Sequence, residues 1–429
     1  MKRPKTNKKP SGTARGQKPR SPMWTRSGNP GKTGAKAKAG TSQKGRRIAE
    51  LAAAGRRLGG LLAAGLPVRS ASVDGDETGS CRTDEAAARR QMNDLWARHG
   101  GVLSGLNPAG PEYAAAASAF ARGYCERTGL PDKGWFPFPS DLRVSAVILL
   151  HGAGPEAFAV QDSPLLRLFG ELQRLALHEV ILASRDEAVT PQLVQACAAP
   201  WLEAEVKLVG AGGVSAEAAG AAGAAGAVSG GGEERRAAAE AAEGDILVFL
   251  DASVFSAAEE IAALAGTVAG GSDAALWSVS AELPHFHKRP PEVMAKQFVN
   301  YALGRRDLRA DSLTVLPHAL SRQAVTKLGA ALAHPARAHG AALLEGLAVS
   351  SVRLSGGDTR AARGDRPFAW MDRSRASDHL EALRLAMERL GPRLFYPDNR
   401  RRRGYAADAD SPYIAEEPSV SGDFSRESI

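Results

Sequence analysis

The sequence has few cysteines, and their spacing excludes two kinds of site. Cys81, Cys125 and Cys197 are the three cysteines among 429 residues, and no two of them have C-x-x-C spacing. An odd, scattered set of this kind fits neither a disulfide framework nor a structural zinc site. We therefore expect a reducing, cytoplasmic location.

Long apolar runs are also missing. No stretch approaches the ~18 to 20 uninterrupted apolar residues that a membrane-spanning helix needs, and the first residues lack the apolar core of a signal peptide. We therefore predict a soluble protein without a transmembrane segment. The length of 429 residues and the hydrophobic content of 44% are sufficient for at least one sizeable core, so the composition permits an enzyme.

Acidic residues are absent from positions 1–47, which carry 15 Lys and Arg. Subtracting these 15 charges from the formal net charge of +8 leaves −7, so the basic character belongs to one end of the chain. Residues 1–46 have almost no large apolar side chain to offset their ordering entropy, and we predict a disordered basic arm. Two interpretations stay open: residues 1–47 contact nucleic acid or an anionic surface, or they form a solvated tail.

The remainder divides into regions of different pattern. Helical patterns rich in Ala, Leu and Arg predict an accessory helical region over residues 47–133. Residues 144–150 form an apolar run that is too short for a typical helix and rich in branched side chains, so they predict a buried strand. Strands and helices then alternate, which is typical of βαβ units and a parallel sheet. The predicted strands cover 144–150, 179–183, 205–209, 245–250, 274–280, 312–316 and 348–354.

Three further segments complete the predicted organisation. Residues 210–232 contain nine glycines without the spacing of a phosphate-binding loop, and we interpret them as a flexible insertion. Residues 355–403 are expected to contain a carboxyl-terminal helix and a basic cluster. Residues 404–429 are acidic and rich in serine, and we predict a mobile tail.

The most specific motif is the segment 244–253, which reads G-D-I-L-V-F-L-D-A-S. It resembles the fourth strand and metal loop of family-two nucleotide-sugar glycosyltransferases. The resemblance covers about residues 144–354 and implies a GT-A fold, which is a Rossmann-like α/β domain with a mixed, mostly parallel sheet flanked by helices. We accordingly predict a divergent member of this family.

The resemblance also implies a divalent metal. In the family, an Asp-x-Asp motif at the end of this strand holds Mg²⁺ or Mn²⁺ against the diphosphate of a sugar nucleotide, because these hard cations prefer oxygen ligands. Here Asp251 keeps the first position and Ser253 replaces the second Asp, so the motif is degenerate. The implied ligands are Asp251 and Ser253. The alternative is that Asp251 caps the following turn or helix.

Two other loops match the donor-binding positions of the family. The loop after the first strand contains His151, Gly152 and Glu156, where the family places residues over the nucleotide base. The loop after the second strand contains Asp186, in the region where the family has an Asp that fixes uracil or ribose. The resemblance therefore implies that these four residues and Asp251 bind a nucleotide-diphosphate sugar.

An inverting transfer needs a general base to deprotonate the acceptor hydroxyl. The segment 313–322 resembles the acceptor-side strand and following helix of the family, but no carboxylate occupies the usual position of the base. His339 or His334 could take the place of the missing carboxylate, and Asp378 is a further candidate. Asp378 also begins a D-x-x-E sequence, which is typical of a helix N-cap.

Two clusters allow both a functional and a structural interpretation. His285 and His287 have the spacing of neighbouring metal ligands on a strand, but no third ligand follows at a suitable distance. The arginines of the segment 305–309 could contact a diphosphate or form a solvated basic face.

We carry three functional hypotheses forward. The first is an inverting nucleotide-sugar glycosyltransferase with an unknown acceptor. The second is a catalytically inactive protein that keeps the fold as a binding module or scaffold, since the second Asp and the base are missing. The third is a nucleic-acid-binding protein that acts through the basic arm.

Overall fold

The structure is a computed structural model. It describes residues 34–64, 78–100, 106–151, 154–160, 162–210, 232–280, 283–353 and 376–395. The chain forms two compact units, Met1–Arg46 and Arg47–Ile429. Several predicted features lie outside the described residues, namely Gly152, the arm before residue 34, the insertion 211–231, the basic cluster 400–403 and the tail 404–429. They stay predictions, as does the nucleic-acid hypothesis.

Three helices form the amino-terminal region: α1 (Gly34–Ala63), α2 (Thr78–His99) and α3 (Pro111–Thr128). The first helix begins before the predicted start at residue 47, within the segment that we expected to be disordered. Ala and Lys alternate over residues 35–39, and both are good helix formers. The net basic charge of the segment therefore does not prevent a helix.

A seven-stranded sheet forms the centre of the second unit, with the strand order β3-β2-β1-β4-β6-β5-β7. Strand β6 runs antiparallel to both of its neighbours, and the other neighbouring strands are parallel. The strands are β1 (Val144–Leu149), β2 (Glu179–Ser184), β3 (Glu205–Gly210), β4 (Ile246–Asp251), β5 (Ala274–Trp277), β6 (His318–Ser321) and β7 (Val349–Val352).

Helices flank the sheet, and several begin with the caps that the sequence favours. Ser163, Thr190 and Ser321 each accept a hydrogen bond from a backbone N–H three residues later. The helices are α4 (Glu156–Ala159), α5 (Pro164–Leu172), α6 (Pro191–Ala198), α7 (Glu233–Ala241), α8 (Ala258–Ala269), α9 (Pro291–Ala302), α10 (Arg322–Leu328), α11 (Pro335–Leu344) and α12 (Ala376–Leu390). The predicted fold class, a Rossmann-like mixed and mostly parallel sheet flanked by helices, is confirmed.

One predicted strand was wrong. Residues 312–316 form a turn, in which Val315 N–H donates to the Ser312 carbonyl at 3.0 Å and Thr314 N–H donates to Ser312 Oγ at 3.4 Å. Local bonds of this kind from a serine compete with a sheet ladder. The strand begins only at His318 and ends at Ser321, which also caps α10.

The amino-terminal helices and the sheet share one hydrophobic core. Trp96 of α2 and Phe120 of α3 belong to the same buried cluster as Trp135, Ile148 of β1 and Leu168 of α5. A second cluster covers the opposite face of the sheet and includes Val147, Phe249 and Leu276. The segment between residues 133 and 144 therefore lies inside one folded unit and does not separate two cores.

Two other observations concern the cysteines and the possibility of a membrane-spanning helix. Cys125 is a buried free thiol and Cys197 is a half-buried free thiol. Across the described ranges, no helix combines the length and the apolar character that crossing a bilayer requires. The cytoplasmic location stays a prediction.

Candidate functional site

The predicted donor-binding loops follow three neighbouring strands and meet at one edge of the sheet. In the sheet register, Leu149 at the end of β1 lies between Ala183 of β2 and Asp251 of β4. The chain connects β1 to β2 on one side, whereas β4 lies on the other side, so a topological switch point falls between β1 and β4. Ligands of open α/β sheets bind at such switch points, outside the carboxyl ends of the strands. His151 and Asp251 lie at this point.

Asp251 and Ser253 contact each other directly. Asp251 Oδ1 accepts hydrogen bonds from the Ser253 backbone N–H at 2.8 Å and from Ser253 Oγ at 2.6 Å. The Asp251 carbonyl also accepts from Val254 N–H at 3.1 Å. These bonds close a turn after β4, which is the capping role considered for Asp251. Both side-chain bonds end on Oδ1, and Asp251 is half-buried while Ser253 is exposed.

The other two carboxylates of the edge are also bonded within their own loops. Asp186 Oδ1 accepts from Ala188 N–H at 2.9 Å, and Glu156 Oε1 accepts from Gly154 N–H at 3.2 Å. Both side chains are exposed. His151 is half-buried and adopts a left-handed backbone conformation with φ of 31°. The strand ends bring these residues to one edge, and the turns fix the direction of each carboxylate.

Asp251 and Ser253 can hold a metal ion only when a bound phosphate group supplies further ligands. Among the described residues, no three His, Cys, Asp or Glu side chains are grouped to hold a metal ion. Asp251 and Ser253 offer one carboxylate and one hydroxyl. Mg²⁺ is commonly held by one or two carboxylates together with substrate phosphates and water, so this pair suffices when a diphosphate supplies further oxygens. It does not suffice for a metal centre built from protein ligands alone.

His285 and His287 give no support to a second metal site. Both rings are exposed and stack in parallel with centroids 6.1 Å apart. His285 precedes a short helical turn, Phe286–Lys288, and His287 lies within it, so neither ends a strand. Neither belongs to a group of three possible ligands within the described residues.

An ion pair at the same edge escaped the sequence analysis. Arg185 directly follows β2, and its Nε donates to Glu234 Oε2 at 2.6 Å. The Arg185 side chain is 40% exposed, whereas that of Glu234, in the first turn of α7, is 4% exposed. The buried carboxylate holds the guanidinium in one orientation. Its two outer nitrogens are not used in this bond.

The next residue of α7, Arg235, is a buried guanidinium. Its Nη2 lies 2.5 Å from His318 Nε2 and 3.3 Å from the Leu313 carbonyl, and its Cζ lies 4.9 Å above the Phe249 ring. His318 Nδ1 donates to the Val315 carbonyl at 2.8 Å, so Nε2 accepts from Arg235. Burial lowers the pKa of Arg235 to about 10, and its Nε has no hydrogen-bond partner among the described residues.

The sequence did contain a signal for Arg235. Arg235 is followed after three, four and seven residues by Ala238, Ala239 and Ala242. This spacing places all four residues on one helical face, and all four are buried. The E-E-R-R run in which it occurs is more typical of a solvated surface. The position on the helical face, rather than the charge, indicates that Arg235 is internal.

The structure places His339 in the interior between helices. His339 Nε2 donates to Asn300 Oδ1 at 2.7 Å, and Asn300 Nδ2 donates to the carbonyl oxygens of Asp311 and Arg309 at 2.9 and 3.0 Å. Burial lowers the pKa of His339 to about 3, with smaller contributions from the neighbouring charges His379, Lys296 and Arg305. These contacts give His339 a structural role, and its role as general base stays a prediction.

The remaining candidates have local contacts. Helix α12 begins at Ala376, so Asp378 lies within its first turn rather than at its N-cap. Asp378 Oδ1 accepts from Ser377 Oγ at 3.4 Å. Arg305 donates to both carboxylate oxygens of Asp307, at 3.0 and 2.8 Å, and to the Val349 carbonyl at 2.6 Å. His334, Arg306 and Arg309 are exposed.

Comparison with known proteins gives structural matches only. No protein-family model matches the sequence, and no curated protein matches it. Glucosyl-3-phosphoglycerate synthase from Mycobacterium tuberculosis, in complex with Mn²⁺, UDP and glucosyl-3-phosphoglycerate, is 16% identical, with 60% of this chain and 82% of that chain covered and a TM-score of 0.37.

Two other matches are of the same kind. Mannosyl-3-phosphoglycerate synthase from Rubrobacter xylanophilus is 12% identical, with 62% of this chain and 80% of that chain covered and a TM-score of 0.38. A mannosyltransferase from Pyrobaculum calidifontis, in complex with GDP-Man and Mn²⁺, is 14% identical, with 63% and 65% covered and a TM-score of 0.31. The similar structures are glycosyltransferases, but these scores carry no argument about what this chain binds. The fold assignment rests on the strand order itself.

Proposed function

We propose that the chain binds a nucleotide-diphosphate sugar at the carboxyl edge of the sheet and transfers the sugar, with inversion, to an acceptor hydroxyl. The observation that supports this most strongly is the half-buried carboxylate of Asp251 at the switch point between β1 and β4. His151 and Asp186 follow the two strands next to it. In this proposal, these loops surround the nucleotide and Asp251 faces the diphosphate.

Arg185 provides a positive charge for the same ligand. Its guanidinium is held by Glu234 through Nε, which leaves the two outer nitrogens to donate to phosphate oxygens. Guanidinium groups bind phosphate through paired hydrogen bonds, and a fixed orientation reduces the entropy lost on binding. Arg185 therefore positions the diphosphate next to Asp251.

A divalent cation would complete the site. Asp251 and Ser253 would hold Mg²⁺ or Mn²⁺, and the remaining ligands would be phosphate oxygens and water. Such an ion neutralises charge that develops on the departing diphosphate. The structures of the M. tuberculosis synthase and the P. calidifontis mannosyltransferase contain Mn²⁺ together with UDP and GDP-Man, respectively.

The proposal is tested by thermal unfolding with UDP-, GDP- and dTDP-sugars, each with and without Mn²⁺. At least one donor should raise the midpoint of unfolding in a Mn²⁺-dependent manner, because a ligand that binds only the folded state stabilises it. Asp251→Asn should abolish this increase. Asp94→Asn, which changes an exposed carboxylate on α2, should keep it. No increase with any donor in the unaltered protein would contradict the proposal.

A second candidate function is binding without catalysis. The observation in its favour is that Asp251, Asp186 and Glu156 all accept hydrogen bonds within their own loops, while the base candidate His339 is buried. Release of nucleoside diphosphate from the donor identified by thermal unfolding distinguishes the two. A scaffold binds the donor and releases nothing beyond the background rate. A transferase releases nucleoside diphosphate, and Asp251→Asn suppresses the release.

A further inference from the structure

The buried arginine of α7, Arg235, has no counter-ion in the part of the chain that the structure describes. Arg235 is 3% exposed, and its guanidinium lies between the Phe249 ring and His318. His318 is neutral, because its Nδ1 donates to the Val315 carbonyl and its Nε2 accepts from Arg235. Among the described residues, no carboxylate pairs with Arg235 or acts on its pKa. An uncompensated charge is costly to bury, which indicates that a bound anion completes this region.

The neighbouring charges do not supply that anion. Glu234, the residue before Arg235, is buried to the same extent, but its carboxylate is already paired with Arg185. Two arginines therefore face one carboxylate, which leaves a surplus of one positive charge. Nε and Nη1 of Arg235 form no hydrogen bond with a described residue, whereas Nη2 contacts His318 and the Leu313 carbonyl.

Arg235 lies on the same face of the sheet as the side chain of Asp251. Phe249 and Asp251 are two residues apart on β4, so their side chains leave the same face and their Cα atoms are about 7 Å apart. The Cζ atom of Arg235 lies 4.9 Å from the centroid of the Phe249 ring. The guanidinium is therefore on the order of 10 Å from the end of β4, where the diphosphate is proposed to bind.

We propose that Arg235 supplies a buried positive charge to an anion at this edge and so makes the site selective for a diphosphate. The inference rests on the proposed function. Arg185 donates hydrogen bonds to the phosphate oxygens, while Arg235 acts through its charge. Two unit charges about 10 Å apart, at an effective dielectric constant of about 20, change an affinity on the order of tenfold. A nucleoside without phosphate gains nothing from this charge.

The alternative is that Arg235 only holds α7 against β6 through its bond to His318. Arg235→Lys and Arg235→Gln separate the two roles. Lysine and glutamine both keep a donor for His318, but only lysine keeps the positive charge. A structural role therefore predicts similar ligand binding in the two variants, whereas the proposed role predicts a large difference.

Isothermal titration calorimetry of the full chain with inorganic pyrophosphate, with and without Mg²⁺, tests the proposal. The unaltered protein should bind pyrophosphate. Arg235→Gln should weaken the binding on the order of tenfold, and Arg235→Lys should stay within about threefold of the unaltered protein. Arg185→Gln should also weaken it, which places the anion at the carboxyl edge. Circular dichroism and the unfolding midpoint show that each variant is folded.

Two further variants serve as controls. The double variant Arg235→Met with His318→Phe replaces the buried polar pair with apolar side chains, a change that is often neutral or stabilising. It removes the charge without leaving His318 unpaired, and it should lose the same affinity as Arg235→Gln. Arg236→Gln removes a charge of the same helix that is already paired with Glu233 and Glu240, and it should keep the affinity.

Several results would overturn the inference: no binding of pyrophosphate to the unaltered protein, unchanged binding in both charge-free variants, or equal losses in Arg235→Lys and Arg235→Gln. Glu217 is the one carboxylate of residues 211–231, which precede α7. Glu217→Gln should bind pyrophosphate like the unaltered protein, and a tenfold gain would make Glu217 the counter-ion and overturn the inference as well.

Titrations with sugar nucleotides separate this inference from the proposed function. If pyrophosphate binds with the expected loss in Arg235→Gln but no sugar nucleotide binds, the proposed function is wrong and the assignment of Arg235 to an oxyanion stands. If a sugar nucleotide binds equally to the unaltered protein and to Arg235→Gln, the proposed function stands and the inference is wrong.

Discussion

Burial makes His339 sensitive to pH at the scale of a single residue. Its pKa is lowered from 6.5 to about 3 in the folded protein. Between these two pH values, His339 binds a proton in the unfolded chain but not in the folded chain. The contribution of His339 to the free energy of unfolding is therefore fully present above about pH 6.5 and is lost as the pH decreases toward 3. A fully shifted group contributes a slope of about 1.4 kcal/mol per pH unit.

We therefore expect His339→Gln to flatten the dependence of the free energy of unfolding on pH. Urea denaturation at several values between pH 7 and pH 4 measures this slope. His334→Gln, which changes the exposed histidine that precedes α11, should leave the slope unchanged. An unchanged slope in His339→Gln would mean that other groups, such as the buried His318, cause the acid sensitivity.

The proposed contact between Arg185 and the diphosphate also depends on a single side chain. Arg185→Lys should weaken nucleoside diphosphate binding on the order of tenfold, because lysine lacks the paired nitrogens that bind phosphate. Binding of the free nucleoside should not change, since it has no phosphate. Calorimetric titrations measure both affinities, either with UDP and uridine or with the nucleoside diphosphate and nucleoside of the preferred donor. Arg236→Lys is the matched control, because Arg236 pairs with Glu233 and Glu240.

Single residues also mark the limit of what the sequence can predict about the site. The positions of His151, Asp186 and Asp251 at one edge follow from strands that end at similar places, and the structure brings them there. Their hydrogen bonds depend on the turn that each loop adopts, which composition does not determine. Arg185 and Glu234 are distant in sequence, so their pairing becomes visible only when β2 and α7 are in place.

At the scale of elements, glycines allow α1 to contact α3 closely. A Cβ atom at Gly59 would lie 2.1 Å from the Phe120 carbonyl oxygen, whereas one at Gly60 would have its nearest neighbour, the Gly123 oxygen, at 3.7 Å. Gly59→Ala should therefore force the helices apart and destabilise the protein by about 1–3 kcal/mol. Gly60→Ala should be neutral or stabilising by up to about 1 kcal/mol, because alanine favours a helix.

Chemical denaturation of both variants measures this difference. The neighbouring positions share one helix and one type of substitution, so the comparison removes the effect of helix propensity. Equal stability of the two variants would mean that α1 does not pack on α3 through Gly59 in solution.

The elements also differ in how far the sequence determines them. The buried strands β1 and β4 are predicted well because continuous runs of branched side chains fit a strand covered on both faces. Strand β6, which runs antiparallel to both of its neighbours, has four residues and follows a turn with its own local hydrogen bonds. Its apolar pattern extends into that turn, so periodicity alone places the strand too early.

At the scale of the whole molecule, the accessory helices and the sheet belong to one core. The sequence indicates a boundary near the prolines of residues 134–139, because composition changes there. Side chains of that same segment, Trp135, Phe136 and Phe138, are almost completely buried and join Phe120 of α3 to the sheet. A change in secondary structure along a chain therefore does not imply a change of core.

This shared core predicts the behaviour of a shortened chain. A chain of residues 134–429 would expose Trp135, Phe136 and Phe138, and each large side chain that loses its packing costs about 2–3 kcal/mol, which together exceeds the margin of many domains. We expect it to lack the cooperative unfolding transition of the full chain, as measured by calorimetry and near-ultraviolet circular dichroism. A chain of residues 47–429, which keeps the second part of α1, the helices α2 and α3 and the core, should unfold in one transition near the original midpoint. If residues 134–429 unfolded cooperatively at that midpoint, the helical region would be a separate domain, and its burial against the sheet would contribute little to stability.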